Sequence, residues 1–438
     1  MPGLFSDRIL LVDLSQGEVD EKGCGDEFLQ ENIGGAKANL ALYRQYENEN
    51  PIVIGCGPFS GTLFPGGAVI IVTAKSPING EIVHTPIILN SGMEFKLTGF
   101  DFAVIKGKSE EPAYLWLHDE IGDLHNAAEL WGKSPWEVTD KLRSDMGDPL
   151  VQVLSIGIAG ENGSKAAQLC YNYWGTPDKA NIAAAFAEKN LKAVAFRGLG
   201  LVEIESPDEF VDGCAELKRS IIDGNISGKK GIASIAESLG ASEIPSWLSP
   251  SVHRLVGCFG CPMNCNTFVK YNEAPSELSQ NGVDEPGFLI TDTASLIKLQ
   301  KAGFSSTEAG KVLEYASRLG IEPVQTAKAI EGKGSTFDEV KDTITALSES
   351  SVEVGNPFED AWGESKSSPY SAWSPLKGLF EGNADANVDE ANSIAYTLGI
   401  CPVLMLASPE ITAEKIAELL NLGVGIEKSA DEIKSISL

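Results

Sequence analysis

The sequence lacks several features that would assign it to a common protein class. It has no run of about 18 apolar residues, which excludes a transmembrane helix from the sequence-based interpretation. Its first residues do not combine a basic start with an apolar core, so no signal peptide is predicted. Histidine is scarce, with four in 438 residues and none after His253, so no later histidine can donate a proton in catalysis.

Basic residues are also few relative to acidic ones. The chain contains 34 Lys and Arg against 62 Asp and Glu, a formal net charge of −28. Such a chain repels phosphate backbones and anionic membrane surfaces, so neither nucleic acid nor membrane is expected as a partner. The acidity is explained by solubility, including in a salty cytoplasm, and the alternative is an acidic docking face for a basic partner.

Cysteine is too sparse for a disulfide scaffold. Eight cysteines are spread over a long chain, whereas disulfide-stabilised secreted domains are short and cysteine-dense. Three of the eight lie within residues 258–265, which favours a metal or cluster site in a reducing, cytoplasmic compartment.

The order of predicted elements indicates an α+β protein. The first 200 residues contain short β-branched runs, which predict strands near 8–13, 51–55, 68–73, 102–106, 113–118, 151–156 and 192–197. Ser134, Pro135 and Glu137 predict a capped helix start. From about 205 the pattern becomes helical, with a long loop over 350–386. We therefore predict a β-rich domain over 1–205 and an all-helical half over 206–438.

The strongest chemical signal is Cys258-Phe-Gly-Cys261-Pro-Met-Asn-Cys265. Short spacings let several thiolates meet at one [4Fe–4S] cluster, with a fourth ligand from elsewhere in the chain. Cys401 is the best fourth ligand among the remaining cysteines. The alternatives are a zinc site, for which His253 is a candidate ligand, and unligated thiols.

Several motifs resemble the tungsten aldehyde ferredoxin oxidoreductase family, in the family's order. They are Gly57-Pro-Phe-Ser-Gly-Thr62, Lys75-Ser-Pro-Ile-Asn-Gly80, Asn90-Ser-Gly92, Gly99-Phe-Asp-Phe-Ala-Val-Ile-Lys-Gly107, Ser155-Ile-Gly-Ile-Ala-Gly-Glu-Asn162, Lys189-Asn-Leu-Lys-Ala-Val-Ala-Phe-Arg-Gly198 and the cysteine spacing. The match covers residues 1 to about 270 and is patchy beyond. The chain is interpreted as a shortened, divergent member.

The resemblance implies an N-terminal domain of two β-sheets that cradles a tungsten or molybdenum bis-pterin with magnesium. Helical domains with a [4Fe–4S] cluster follow. Family members oxidise aldehydes and pass electrons to ferredoxin. By this resemblance, the pterin-contacting residues are Gly66, Gly67, Asn90, Ser91 and Gly92, with Gly34 and Gly35 nearby, although glycine pairs also occur in ordinary turns.

The sequence departs from the family at positions that contact the pterin. Pro65-Gly-Gly-Ala68 lacks the family arginine, and Lys179 stands where a second arginine is expected. The two family loops that begin with aspartate appear here as Ser317-Arg-Leu-Gly-Ile-Glu322 and Tyr396-Thr-Leu-Gly-Ile-Cys401. Glu285 resembles a family glutamate that faces the metal and is the candidate catalytic acid; the alternative is an exposed acid in a Pro-Gly turn.

Two functions are consistent with these motifs and departures. The first is an oxidoreductase that acts on a small organic substrate, such as an aldehyde, at a tungsten or molybdenum pterin and passes electrons through its cluster. The second is a cluster-only homologue that serves as an electron-transfer or structural subunit. The expected partners are ferredoxin or another electron-transfer protein, with a homodimer or a larger redox complex as the assembly, in an anaerobic cytoplasm.

Overall fold

The computed structural model describes residues 3–224, 230–271, 287–351 and 388–438. The strands form two six-stranded mixed sheets and one three-stranded sheet. The first sheet, in the order β2-β1-β6-β3-β4-β5, consists of β1 (Ile9–Asp13), β2 (Glu18–Lys22), β3 (Ile52–Cys56), β4 (Ile70–Lys75), β5 (Ile82–Ile87) and β6 (Phe102–Lys106). The second, in the order β11-β10-β9-β12-β7-β8, consists of β7 (Ala113–His118), β8 (Ile121–Asn126), β9 (Gln152–Ile156), β10 (Leu169–Tyr171), β11 (Trp174–Gly175) and β12 (Leu191–Phe196).

The two large sheets have similar strand pairing, and they pack around one core. Each contains a single parallel pair, β1 with β6 and β12 with β7, among antiparallel neighbours. Alternate residues of both sheets, such as Leu10, Ile54, Leu154 and Val194, belong to one buried cluster. A strand points successive side chains to opposite faces, so each sheet has a second apolar face to cover.

Short helices cover those second faces. The helices of this region are α1 (Asp26–Asn32), α2 (Gly35–Gln45), α3 (Ser91–Lys96), α4 (Pro135–Met146), α5 (Ile158–Glu161) and α6 (Ile182–Glu188), with a 3-10 turn at Glu47–Glu49. The first, α1, packs on α2, which covers β3 and β4, while α4 covers β9. The predicted capping box is confirmed: Ser134 Oγ accepts from the Glu137 amide, and the Glu137 carboxylate accepts from the Ser134 amide.

The second half is mainly helical, as predicted, but includes one small sheet. Its helices are α7 (Pro207–Asp223), α8 (Ile232–Ser238), α9 (Ile244–Leu248), α10 (Thr293–Lys301), α11 (Ser306–Leu319), α12 (Pro323–Ile330), α13 (Phe337–Ala346), α14 (Val388–Leu398), α15 (Pro402–Ala407), α16 (Ala413–Val424) and α17 (Ala430–Lys434), with a 3-10 turn at Ser249–Ser251. The sheet, β13 (Val252–Val256), β14 (Asn266–Lys270) and β15 (Gly287–Ile290), is antiparallel and was not predicted.

The last turns of α11 and α14 lead into two equivalent loops, which dock on different sheets. We call residues 317–322 the first docking loop and residues 396–401 the second. Both contain Leu-Gly-Ile and are followed by a proline that begins the next helix. Within the described part of the chain, no helix is long and apolar enough to cross a membrane.

Candidate cluster site and adjoining cavity

The three clustered cysteines lie on the loop that closes the β13–β14 hairpin. Val256 pairs with Asn266, so residues 257–265 form the turn. Cys258 and Cys265 are buried, and Cys261 at the middle of the turn is partly exposed. The loop is fixed to the first sheet domain, because the Phe259 amide donates to the Leu89 carbonyl oxygen at 2.8 Å.

Cys401, at the end of the second docking loop, lies near these three cysteines. We call the region between the four cysteines the cluster pocket. Cys401 is 5% exposed, belongs to the same buried cluster as Cys258 and Cys265, and precedes the first residue of α15. Its amide donates to the Gly66 carbonyl oxygen at 2.8 Å. Gly66 has φ +80°, and a Cβ there would lie 2.8 Å from Leu404 Cδ2, so this close approach requires glycine.

The sulfur atoms of this pocket face N–H donors. Leu89 N lies 3.3 Å from Cys258 Sγ, and Met263 N lies 3.4 Å from Cys261 Sγ. The amides of Val403 and Leu404 also donate to Cys401, at the start of α15. Such donors stabilise thiolates, the form that binds iron.

Burial raises the pKa of all four thiols. The pKa of Cys261 rises to about 12, and the pKa values of Cys258 and Cys265 rise well above the usual range. Repulsion between the neighbouring sulfurs of Cys258, Cys261 and Cys401 adds to the effect of burial. Without metal, the four thiols are therefore protonated at neutral pH, and a metal that binds here must displace the protons.

This arrangement fits an iron–sulfur cluster better than a single ion. Among the described residues, no three His, Cys, Asp or Glu side chains are arranged to hold one metal ion. Zn–S bonds of about 2.3 Å would require sulfurs only about 3.8 Å apart. In a cubane each thiolate binds a different iron, so the ligands lie farther apart. His253, the candidate zinc ligand, is exposed on β13 and contacts the ring of Phe268.

The glycine-rich segments implied by the resemblance pack beside this pocket. Gly92 donates to the Ala68 carbonyl oxygen at 3.0 Å, and Ser91 Oγ donates to the Ile87 carbonyl oxygen at 2.5 Å. Gly67 donates to the Phe64 carbonyl oxygen at 2.9 Å. Asn90 Oδ1 accepts from the Tyr171 hydroxyl at 2.8 Å. Their contact with a cofactor stays a prediction.

Lys179 is bound by carboxylates of the helical half. Its ammonium lies 2.8 Å from Glu322 Oε1 and 3.2 Å from Asp292 Oδ1, and its side chain is 4% exposed. These partners raise the pKa of Lys179 against the effect of burial. Lys179 therefore neutralises two acids in this structure, the partly exposed Asp292 and the buried Glu322 at the end of the first docking loop.

Both docking loops lie directly against glycines at the ends of sheet strands. A Cβ on Gly57, after β3, would overlap the backbone of Leu398 and Gly399. A Cβ on Gly157, after β9, would overlap the carbonyl of Leu319, and Gly320 packs on Gly157 in turn. Backbone atoms of the docking loops thus lie where a Cβ on Gly57 or Gly157 would be placed.

The four thiols therefore fit a cluster, whereas Lys179, as it is paired in this structure, does not fit the cofactor-binding role that the resemblance implies for it. The cluster is matched by four neighbouring thiols, of which Cys258 and Cys261 accept backbone N–H groups. A phosphate cradle needs basic groups free to bind anions, and Lys179 is paired with Glu322 and Asp292. Glu285, the candidate catalytic acid, lies outside the described residues.

A cavity of about 470 Å³ adjoins the cluster pocket. Gly257 and Phe259, on either side of Cys258, contribute to its wall, as does Asn90. It is also lined by Arg143 of α4 and Arg254 of β13, which no sequence pattern singled out. Neither arginine lies in a motif, and the topology alone brings them together.

Two mixed sheets followed by a mainly helical half, with four cysteines close together, match the α+β architecture expected from the sequence. Comparison with known families agrees. Residues 9–198 match the family profile described as aldehyde ferredoxin oxidoreductase, N-terminal domain.

Related proteins support the same assignment. The chain is 31% identical over 238 residues to a tungsten-containing aldehyde ferredoxin oxidoreductase of Pyrococcus abyssi, covering 52% of this chain and 39% of the relative. It is 26% identical over 219 residues to an aliphatic sulfonate oxidoreductase, WOR-like subunit, of Pyrococcus furiosus, covering 45% and 35%. The chain thus spans less than half the length of these relatives.

One solved structure shows the same fold. It is the active site complex BamBC of benzoyl coenzyme A reductase in complex with 1,5-dienoyl-CoA, with a TM-score of 0.75. The alignment covers 99% of this chain and 87% of that chain at 17% identity. The likeness extends through the helical half, beyond the residues matched by the family profile.

Proposed function

We propose that this chain is an electron-transfer protein of the aldehyde ferredoxin oxidoreductase fold, with a [4Fe–4S] cluster bound by Cys258, Cys261, Cys265 and Cys401. The observation that supports it is the meeting of four thiols from two distant segments in one pocket. The cluster would supply one-electron transfer. The chain's own residues position the sulfurs, exclude most water from Cys258, Cys265 and Cys401, and donate N–H groups to the bound thiolates.

The exposure of the pocket fits this role. Cys261 is partly exposed while the other three thiols are buried, so one corner of the cluster would lie near the surface. Electrons would leave at that corner to ferredoxin or another electron-transfer protein. The same exposure predicts sensitivity to oxygen and suits an anaerobic cytoplasm. A relative named as a subunit and a solved complex support membership of a larger redox assembly.

A second candidate function is catalysis at a tungsten or molybdenum pterin. It is favoured by the family match over residues 9–198 and by relatives described as tungsten-containing. In that case Gly66, Gly67, Asn90, Ser91, Gly92 and Lys179 are the proposed cofactor contacts, and Glu285 the proposed acid. Lys179 would have to leave its carboxylates to bind a phosphate.

Metal analysis of anaerobically purified protein distinguishes the two functions. Iron, acid-labile sulfide, tungsten and molybdenum are measured together on the same sample. We expect four irons and four sulfides per chain, with neither tungsten nor molybdenum. One tungsten or molybdenum per chain would instead establish the pterin enzyme, and absence of iron and sulfide after anaerobic reconstitution would refute both.

A further inference from the structure

Leu89 has a backbone conformation that residues other than glycine rarely adopt. It lies between β5 and α3, and its φ of +73° is in the left-handed region. The Cβ of leucine crowds the backbone there, so this conformation persists only where surrounding contacts enforce it. Because strained residues of this kind cluster at functional sites, the contacts of Leu89 are informative.

The backbone of Leu89 contacts the cysteine segment at two points. The Leu89 amide donates to Cys258 Sγ, with 3.3 Å between nitrogen and sulfur. The Leu89 carbonyl oxygen accepts from the Phe259 amide at 2.8 Å. Because φ and ψ set the relative directions of this N–H and this carbonyl, the two contacts together favour the left-handed conformation.

The residues that follow Leu89 are anchored on both large sheets. Ser91 Oγ donates to the carbonyl oxygen of Ile87, the last residue of β5, at 2.5 Å. Asn90 Oδ1 accepts from the hydroxyl of Tyr171, on β10 of the second sheet, at 2.8 Å. These contacts prevent Leu89 from relaxing to an ordinary φ, so its N–H stays directed at the sulfur.

An N–H group beside a ligating sulfur changes the energy of an added electron. The proposed cluster would gain one electron from ferredoxin or another electron-transfer protein, with no bond formed or broken, and its sulfurs would become more negative. A hydrogen-bond donor stabilises the more negative state, so it raises the reduction potential. Cys258 is 8% exposed, so little water screens this interaction.

We propose that Leu89 is a positioning residue that raises the reduction potential of the cluster by directing its N–H group at Cys258 Sγ. This inference rests on the proposed function, because it requires a thiolate of Cys258 bound to iron. It also gives Asn90 and Ser91 a structural role, the support of Leu89, that needs no pterin.

An ester bond at residue 89 removes this donor and nothing else of the side chain or loop. Incorporation of the α-hydroxy acid of leucine during anaerobic cell-free synthesis replaces the Leu89 N–H by an oxygen atom. Redox titration of the reconstituted holoprotein, followed by electron paramagnetic resonance, measures the potential. We expect the one-electron equilibrium to shift about tenfold toward the oxidised cluster, which is a potential lower by about 59 mV.

An ester bond at Leu97 is the matched control. Leu97 follows α3 and is also partly buried, and its amide donates to the Met93 carbonyl oxygen at 3.0 Å rather than to a sulfur. This ester should leave the potential unchanged. An unchanged potential in the Leu89 ester with four irons per chain, or an equal shift in the Leu97 ester, would overturn the inference while the proposed function stands.

Two ordinary variants test the same residue if the ester protein does not hold iron. Leu89→Gly keeps the N–H and tolerates a positive φ, whereas Leu89→Ile keeps the apolar volume and strongly disfavours that φ. Leu89→Ile should therefore lower the potential, and Leu89→Gly should stay near the wild-type value even though it loses side-chain packing. A potential in Leu89→Gly as low as that in Leu89→Ile, or lower, would assign the effect to packing and refute the inference.

Discussion

The two docking loops share a backbone plan and differ in the chemistry of their last residue. Each follows a helix, places a left-handed glycine against a strand-end glycine of one large sheet, and ends before a proline. The first ends in Glu322, which pairs with Lys179. The second ends in Cys401, which meets three more cysteines. The same backbone arrangement thus positions an ion pair on one sheet and a proposed metal ligand on the other.

The first docking loop is therefore linked to stability, and the second is linked to the proposed redox function. In the first docking loop, the buried charges satisfy one another within the protein. In the second, burial keeps the thiols protonated, and the proposed cluster would have to displace those protons. Perturbing the first loop should therefore alter stability alone, whereas perturbing the second should also alter metal content.

The largest effect is expected from removing Cys401. Cys401→Ala deletes the one ligand outside the 258–265 loop, so we expect loss of most cluster iron and of the visible absorbance of the anaerobically purified protein. Cys170→Ala is the matched control, because Cys170 is buried beside Ser317 of the first docking loop. Full iron content in Cys401→Ala, or equal loss in Cys170→Ala, would contradict the assignment.

The next effect concerns the ion pair of the first loop. Lys179→Met leaves Glu322 and Asp292 without their cation, so we expect the free energy of unfolding to fall by about 3–5 kcal/mol. Iron content per folded chain should stay at the wild-type value. Urea unfolding measures the loss, and Lys141→Met, in an exposed ion pair, should leave the free energy of unfolding nearly unchanged. A small loss in Lys179→Met would show that the buried pair is not needed.

Smaller losses should follow when the docking glycines gain a methyl group. Gly57→Ala and Gly157→Ala each force a loop away from its sheet, so we expect a similar loss of about 1–3 kcal/mol. Only Gly57→Ala should also lower iron content, because it displaces the segment that ends at Cys401. Gly23→Ala has room for its Cβ and is the control. Equal iron content in Gly57→Ala and Gly157→Ala would show that the two docking loops do not differ in their effect on metal binding.

The smallest effect is a pH dependence beside Lys179. Burial raises the pKa of Asp178 to about 6, although its carboxylate accepts N–H groups from Leu169, Ala180 and Ile182. The folded state thus binds the proton more tightly than the unfolded state, so protonation stabilises the fold. We expect this group to add about 1 kcal/mol between pH 7 and pH 5.

Urea unfolding of the wild type and Asp178→Asn at both pH values measures this contribution. The variant should lack it, so its free energy of unfolding should rise less than that of the wild type as the pH falls. Asp208→Asn, an exposed acid on α7, is the control. An identical change in the wild type and Asp178→Asn would contradict the pKa shift.

Local signals made much of this fold predictable from the sequence. Strands near 8–13 and 102–106, the Ser134 capping box and the helix that begins at Pro207 depend on adjacent residues. The prediction of a cluster site at Cys258, Cys261 and Cys265 also depends on a local spacing, and it stays a prediction. The family resemblance was confirmed over residues 9–198.

The remaining features depend on contacts between distant segments. Lys179 and Glu322 were each singled out, but their pairing follows from the packing of the first docking loop against the end of β9 in the second sheet. Arg143 and Arg254 meet at one cavity only because α4 and β13 lie near each other in space. The β13–β15 sheet was missed because β13 is short and mostly exposed, so it has little apolar periodicity.

The meeting of Cys401 with the 258–265 loop also constrains biosynthesis. The fourth thiol emerges from the ribosome roughly 136 residues after Cys265, and joining the two closes a long loop whose entropy rises slowly with length. Assembly of the proposed iron–sulfur cluster would thus have to wait until the segment that contains Cys401 has been synthesised. Until then, the hairpin would expose three reduced thiols to oxidants and to the scaffold proteins that deliver iron.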